Sequence, residues 1–337
     1  MITIDNVTMQ FGGVTAVDAV SLTVNPSEIV SVIGPNGAGK TTLFNAVTGV
    51  YRPTAGAVSL NGESLAHRPA ARDIGYGISI AFATALLLLV LFHIQAAWDR
   101  CINGIYVYQE PFDWGLCYQL LTEYWAEQSF LATWGIGLSG AVIAAAAYTV
   151  IRLQGVIAPE RIVRKGVART FQNIRLFRSM SVLEVVLAGA QLRNAPDHRR
   201  RMVDESLELL SFVGLSGVID RGAATLSYGD QRRLEIARAL ATKPSVVLLD
   251  EPAAGMNEAE TARLGELIRA VRDRGVTVVL IEHHMSLVMA VSDRIIVMQN
   301  GRILAQGKPD EIRANKEVIA AYLGDDLVAE YNYSTES

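Results

Sequence analysis

The stretch Gly34-Pro35-Asn36-Gly37-Ala38-Gly39-Lys40-Thr41 constrains this chain more than any other. An apolar run, residues 29–33, precedes it and a helix-like run, residues 42–48, follows. A short buried strand, a glycine-rich turn and a helix start together make a phosphate cradle, because backbone N–H groups and the positive end of a helix converge on one point. In this pattern Lys40 adds a point charge and the Thr41 hydroxyl is placed to hold Mg²⁺. The phosphate-binding candidates are therefore Gly34, Pro35, Asn36, Gly37, Ala38, Gly39, Lys40, Thr41 and Thr42. The bland alternative is a chance glycine turn before a helix. A strand before the turn and a helix after it favour the cradle, which by itself means only that a nucleotide phosphate is bound.

The 337 residues suffice for two or three domains, so the core need not be marginal. A formal net charge of −4 gives no global reason to expect a nucleic-acid partner. Residues 1–11 alternate like a strand and lack a basic leader, so the nucleotide-binding part is expected to stay in the cytoplasm. Both cysteines, Cys101 and Cys117, and all four tryptophans, Trp98, Trp114, Trp125 and Trp134, fall within residues 98–134. That segment differs in kind from the rest.

Residues 2–11 and 20–24 alternate at a period of two about Gly12-Gly13, and residues 58–60 run into an Asn61-Gly62 turn. A small antiparallel sheet is expected around the cradle strand. Phe11, at the end of the first strand, is either a stacking platform for a nucleotide base or an ordinary core aromatic.

Residues 74–98 and 128–151 carry no formal charge, with His93 neutral, and each run is long enough to cross a ~30 Å hydrocarbon layer at ~1.5 Å per residue. Two spans are expected, against the alternative of two helices buried in a soluble core. Arg68 and Arg72 flank the first run, and Arg152, Arg161, Arg164 and Lys165 flank the second. The 99–127 loop holds Asp99, Glu110, Asp113, Glu123 and Glu127 against one arginine. The positive-inside rule puts both outer flanks in the cytoplasm and the loop outside. Trp98 and Trp134 suit the outer interface. The spacing of Trp114, Cys117, Leu120, Leu121, Tyr124 and Trp125 suits a helix lying on the membrane surface. A Cys101–Cys117 disulfide fits an external loop, and two free thiols are the alternative. Gly77, Ala81 and Ala85, with Gly137, Ala141 and Ala145, recur every four residues and permit close helix packing.

Past Pro159 a soluble pattern resumes. Helices are expected over 182–192, 202–212 and 258–272, buried strands over 246–249 and 277–281, and a hairpin about Asn300-Gly301. Asp250 and Glu251 end the 246–249 strand, where open α/β sheets bind ligands. One carboxylate can hold Mg²⁺ while its neighbour activates water. Ser227 reads as an N-cap of the helix beginning at Gln231, and Gly229 permits close backbone approach. The turn from Leu226 to Gln231 is thus a second anion site.

The P-loop, Gln172 after Arg169-Thr170-Phe171, the Leu226–Gln231 signature, Asp250-Glu251 and His283 occur in the order found in ABC transporter ATPases, which the chain resembles. Within that set, 168–173, 227–238 and 250–255 look like the branched-chain amino acid import branch. The resemblance covers residues 1–66 and about 158–325. It implies an α/β fold of the P-loop NTPase, ABC ATPase type, with a mixed sheet core, an antiparallel β subdomain and a helical signature subdomain at about 178–240. Residues 67–157 would interrupt it as a two-helix transmembrane insert, and 326–337 would be a polar tail.

By position, the family implies that Lys40, Thr41 and Asp250 bind ATP and Mg²⁺. Ser227, Gly229 and Gln231 would face the γ-phosphate of a second ATPase subunit, identical or paralogous. Glu251 would be the general base, His283 the γ-phosphate sensor, Gln172 the link between Mg²⁺ and the permease, and Phe11 the adenine platform. Two membrane permease subunits and, indirectly, a substrate-binding protein are the implied partners. The site implied for the complex is the inner membrane, with the ATPase on its cytoplasmic side and the insert in the bilayer. Tyr228, Asn257 and His284 depart from the common ABC pattern, the first two as in the import branch. Alternatives are an ATPase of lipid or polysaccharide export and a catalytically silent membrane-anchored module. A GTPase is disfavoured, because Val318 stands where guanine recognition after Asn315-Lys316 needs an aspartate.

Overall fold

The computed structural model describes residues 1–65, 71–99, 113–127, 130–153, 159–177, 179–192 and 199–323. The chain divides into two compact units, one formed by 1–67 with 156–337 and the other by 68–155.

The first unit is built on two sheets. β1 (Ile2–Phe11) and β2 (Val14–Val24) form an antiparallel hairpin. β3 (Ile29–Ile33) carries the glycine-rich turn, and β4 (Ala55–Leu60) and β5 (Glu63–Ser64) complete a four-stranded sheet of order β2-β1-β4-β5. β6 (Val167–Arg169), β7 (Val246–Asp250), β8 (Thr277–Ile281), β9 (Arg294–Gln299) and β10 (Arg302–Gly307) join β3 in a six-stranded sheet of order β10-β9-β3-β8-β7-β6. That sheet is parallel except for β10 on β9. The expected mixed sheet and antiparallel subdomain are both present. β3, β7 and β8 are buried along their whole length, which is why they read as unbroken aliphatic runs.

The helices follow from capping and periodicity. α1 (Lys40–Val47) starts directly after the glycine turn and buries Leu43 and Phe44. α2 (Ala71–Trp98), α3 (Trp114–Glu127) and α4 (Phe130–Leu153) belong to the second unit. α5 (Pro159–Arg164), α6 (Val182–Gln191), α7 (Arg199–Phe212) and α8 (Tyr228–Ala241) lead through the helical part of the first unit. α6 opens on a capping box in which Ser181 and Glu184 satisfy each other's backbone N–H. α9 (Glu258–Asp273), α10 (Met285–Val291), α11 (Pro309–Arg313) and α12 (Lys316–Leu323) complete the chain. α9 has a second capping box, from Asn257 and Glu260. Asn257, set apart in the sequence as a departure, is thus a helix cap.

Residues 68–155 require a correction. The helices stand close to where the uncharged runs placed them, but among the described residues no helix is long and apolar enough to cross a membrane. The expectation of two spans therefore finds no support in the structure. α2 and α4 pack on each other as a hairpin: a Cβ on Gly77 would meet the ring of Tyr148 at 2.9 Å, and one on Gly140 would meet Leu88 Cδ1 at 2.2 Å. An uncharged run does not tell a face that meets a partner helix from one that meets lipid. Cys117 is disulfide-bonded, and there is no free cysteine among the described residues. The chain's other cysteine, Cys101, lies outside them, as do the basic flank at Arg68 and the polar tail expected at 326–337.

Candidate functional site

β3 ends at Ile33 and the backbone turns through Gly34 at φ +151° and Gly39 at φ +97°. Both conformations favour glycine, and space demands it as well. A Cβ at Gly34 would lie 2.1 Å from the Met298 carbonyl oxygen, and one at Gly39 would lie 2.4 Å from that of Ala16. Lys40, only 6% exposed, folds back over the turn and donates to the carbonyls of Gly34 at 2.8 Å and Pro35 at 3.0 Å. Burial pulls its ammonium below the ordinary lysine value, while the charges of Glu251 and Asp250 pull the other way. The loop is thus a cationic cradle at a helix N-terminus, which fits a polyphosphate.

β7 delivers Asp250 and Glu251 beside this loop. Asp250 is nearly buried and is held by Arg169, whose Nη2 donates to Oδ2 at 2.7 Å. The other arm of that guanidinium donates to Asn45 Oδ1 at 2.6 Å and to Thr48 Oγ1 at 3.2 Å, both on or just after α1. Arg169 also lies 5.8 Å and 5.3 Å from the ring centroids of Phe44 and Phe171. Sequence reasoning used Arg169 only as a motif letter. It ends β6, the strand paired with the one that carries Asp250.

Glu251 adopts φ +46°, a left-handed conformation that costs a non-glycine residue of order 1–3 kcal/mol and collects at functional sites. Its carboxylate has two partners: Gln172 Nε2 donates to Oε2 at 2.7 Å, and His283 Nε2 stands 3.1 Å from Oε1. Three residues far apart in sequence, Gln172, Glu251 and His283, therefore meet at one carboxylate. His284 is turned elsewhere, with Nδ1 3.4 Å from Glu282. Glu282, 1% exposed, accepts the backbone N–H groups of Ala253 at 2.7 Å, His283 at 2.9 Å and His284 at 3.2 Å. This buried carboxylate ties the turn after Glu251 to the turn carrying His283, and sequence reasoning missed it.

The second cluster lies at the start of α8. Ser227 caps the helix by accepting the Asp230 N–H at 3.2 Å, and Gln231 Nε2 donates to Leu226 O at 2.9 Å. A Cβ on Gly229 would approach Glu260 at 3.1 Å. Among the described residues no hydrogen bond joins this turn to the Gly34–Thr41 loop. Phe11 is 42% exposed, with the ring of Tyr51 edge-on at 5.2 Å. An exposed, braced ring suits stacking better than the core role it was weighed against.

Among the described residues no group of three or more His, Cys, Asp or Glu forms a metal cage. The candidate donors Thr41, Gln172 and Asp250 include one carboxylate, which fits Mg²⁺ shared with phosphate oxygens rather than an all-protein site.

A family model described as ABC transporter matches residues 17–90 and 144–254, together more than half of the chain. The chain belongs to the ABC transporter family. A second model, described as branched-chain amino acid ATP-binding cassette transporter, matches residues 302–328. The high-affinity branched-chain amino acid transport ATP-binding protein LivG of Escherichia coli (strain K12) is 35% identical, with 96% of this chain and 98% of that protein covered. The lipopolysaccharide export system ATP-binding protein LptB of the same strain is 26% identical, with 97% and 98% covered. A solved nucleotide-free ATP-binding cassette from an ABC transporter matches with a TM-score of 0.65 at 22% identity, covering 96% of this chain and 99% of that one. The last likeness shows the fold. The chain is an ABC ATPase.

Proposed function

We propose that this ABC ATPase powers an importer for branched-chain or related amino acids. The observation that carries the catalytic part is the convergence of Gln172 and His283 on Glu251, one residue after Asp250 and beside the Lys40 loop. Glu251 accepts the proton of the water that attacks the γ-phosphate, and Gln172 and His283 fix the carboxylate that does so. Lys40 and the loop N–H groups bind the phosphates, and Phe11 stacks on the adenine. Mg²⁺, when bound through Thr41, Asp250 and Gln172, would neutralise charge on the phosphate oxygens.

The turn of Ser227, which is exposed, with Gly229 and Gln231 behind it, contacts the ATP of a second ATPase subunit, whose matching turn contacts this chain's. Two permease subunits receive the resulting closure, and a binding protein delivers substrate to them on the far side of the inner membrane. Import is favoured over export because identity is higher to LivG than to LptB. ATPase activity of the assembled complex, stimulated by a leucine-, isoleucine- or valine-loaded binding protein, tests this. Stimulation by lipopolysaccharide instead would refute it.

The 68–155 unit is read as the part of this subunit that meets lipid. Ile78, Phe82, Leu86 and Val90 of α2 are exposed, and the 74–98 run carries no formal charge. The full chain, expressed without permease, should be recovered with membranes. Recovery in the soluble fraction, folded and monodisperse, would refute lipid contact.

A further inference from the structure

Among the described residues, the most heavily buried charged pair lies outside those assigned so far. Arg232, on the second turn of α8, is 0% exposed and paired with Glu235, also 0% exposed, at 2.7 Å. Its guanidinium reaches across to the segment that carries Gln172. Nη1 donates to the Phe171 carbonyl at 2.7 Å and Nη2 to the Gln172 carbonyl at 2.8 Å. Nearly two turns further along α8, Arg238 donates to the Arg175 carbonyl and lies 3.6 Å from Glu235. Three backbone carbonyls within 171–175 are therefore held by side chains of one helix.

Burying an ion pair is an expensive way to fill space. Hydrophobic residues of equal volume generally stabilise a core at least as well, because two charges lose their hydration. Burial pushes the Glu235 carboxyl upward in pKa, opposed by Arg232 and Arg238, and pulls the Arg238 guanidinium down. A planar fork does what an aliphatic side chain cannot: it fixes two carbonyls of an irregular segment to one point on a helix.

That helix begins at the signature turn. Ser227 caps it and Gly229 is in its first turn, so Ser227 and Arg232 lie within two turns of one rigid element. At the other end of the link, the Gln172 side chain donates to Glu251. We propose that Arg232 and Glu235 are positioning residues that transmit the placement of the signature turn to Gln172, and through it to the Glu251 carboxylate. When a phosphate draws the Ser227 turn toward it, α8 moves as a unit and the 171–175 segment follows. The inference rests on the ATPase reading above and adds to it a physical connection, within one chain, between the signature turn that serves the partner's ATP and the Glu251 carboxylate that serves its own.

The test uses the full chain with the double substitution Arg232→Met/Glu235→Leu, which removes both buried charges while keeping the volume, and with Arg232→Lys, which keeps the charge but not the fork. Both variants should unfold within a few degrees of the wild type and keep KM for ATP within about twofold, whereas kcat should fall about tenfold or more in the double variant and less in Arg232→Lys. Amide hydrogen exchange over 171–177 should accelerate in the double variant without ATP, a readout that does not depend on turnover. Wild-type kcat and unchanged exchange in the double variant would overturn the proposal and leave the pair as core filling. An equal loss in KM and kcat would also overturn it, by showing a general defect in the nucleotide site. Absence of ATPase in the wild type would instead strike at the ATPase reading itself, and the exchange measurement would still decide whether Arg232 holds the segment.

Discussion

Replacing Arg169 by methionine should destabilise the ATPase unit more than any exposed substitution. The pair it forms with Asp250 is 2.7 Å long, with side-chain exposures of 8% and 6%, so solvent screens it little. Removing one member of such a pair leaves the other charge buried without compensation, at a cost of about 3–5 kcal/mol. Thr48 suffers less, because its hydroxyl still donates to the Phe44 carbonyl at 2.8 Å. Asp250→Asn alone should cost a similar amount by stranding the guanidinium. The double variant Arg169→Met/Asp250→Asn, which strands no charge, should lose no more than one single variant does, giving a coupling energy of about 3–5 kcal/mol in a double-mutant cycle. Urea denaturation followed by tryptophan-independent circular dichroism reads all four proteins. A single-variant loss below about 1 kcal/mol, or a double variant that loses the sum of the singles, would refute the claim that Arg169 compensates Asp250.

Other outcomes follow from the same geometry. Glu251→Gln should lower kcat by about 10²–10⁴-fold while leaving equilibrium ATP binding intact, measured by steady-state turnover beside nucleotide filter binding. Gly39→Ala, which sets a Cβ against the Ala16 carbonyl at positive φ, should abolish ATP binding or folding, whereas Gly12→Ala, with open space around its Cβ, should lose only what its φ of +57° costs; thermal melts with and without ATP separate the two. The Ser181 backbone N–H, and then its hydroxyl, hold the Glu184 carboxyl below its ordinary pKa. The folded-state value is depressed, so the cap's stabilisation is present above about pH 4.3 and is lost as pH falls through the depressed value. The stability difference between wild type and Glu184→Gln should therefore be seen at pH 7 and shrink as pH falls through the depressed value. Phe11→Ala should weaken nucleotide binding by about 0.5–1.5 kcal/mol, with little selectivity among purines, by titration with ATP and GTP.

Much of this site was legible because its chemistry depends on local sequence. The Gly34–Thr41 turn, the buried run ending in Asp250 and Glu251, and the Ser227 cap each combine a period and a punctuating residue within ten positions; the strands and the cap form locally where they were read, although the capped helix begins at Tyr228 rather than Gln231. What the sequence hid were the long-range ties. Nothing in the spacing of Arg169, Glu282 or Arg232 announces that one holds a carboxylate, another three backbone amides and the third two carbonyls. Such roles exist only once β6, β7 and β8 lie side by side and α8 packs against the segment after β6. The 74–98 and 128–151 runs show the converse. Their helicity was plain from composition, and α2 and α4 lie close to the expected limits, but the side each helix shows to its partner depends on packing at Gly77 and Gly140 that an uncharged run does not encode.

The central claim is that Glu251, bracketed by Gln172 and His283, performs hydrolysis at a site completed by a second subunit. The most direct measurement is light scattering on a sizing column of the Glu251→Gln chain with ATP, together with the nucleotide it retains. The account predicts a dimer holding two unhydrolysed ATP molecules, whereas the wild type under the same conditions releases ADP and returns to monomers. A Glu251→Gln chain that turns ATP over at the wild-type rate, or that binds ATP and stays monomeric, would contradict it.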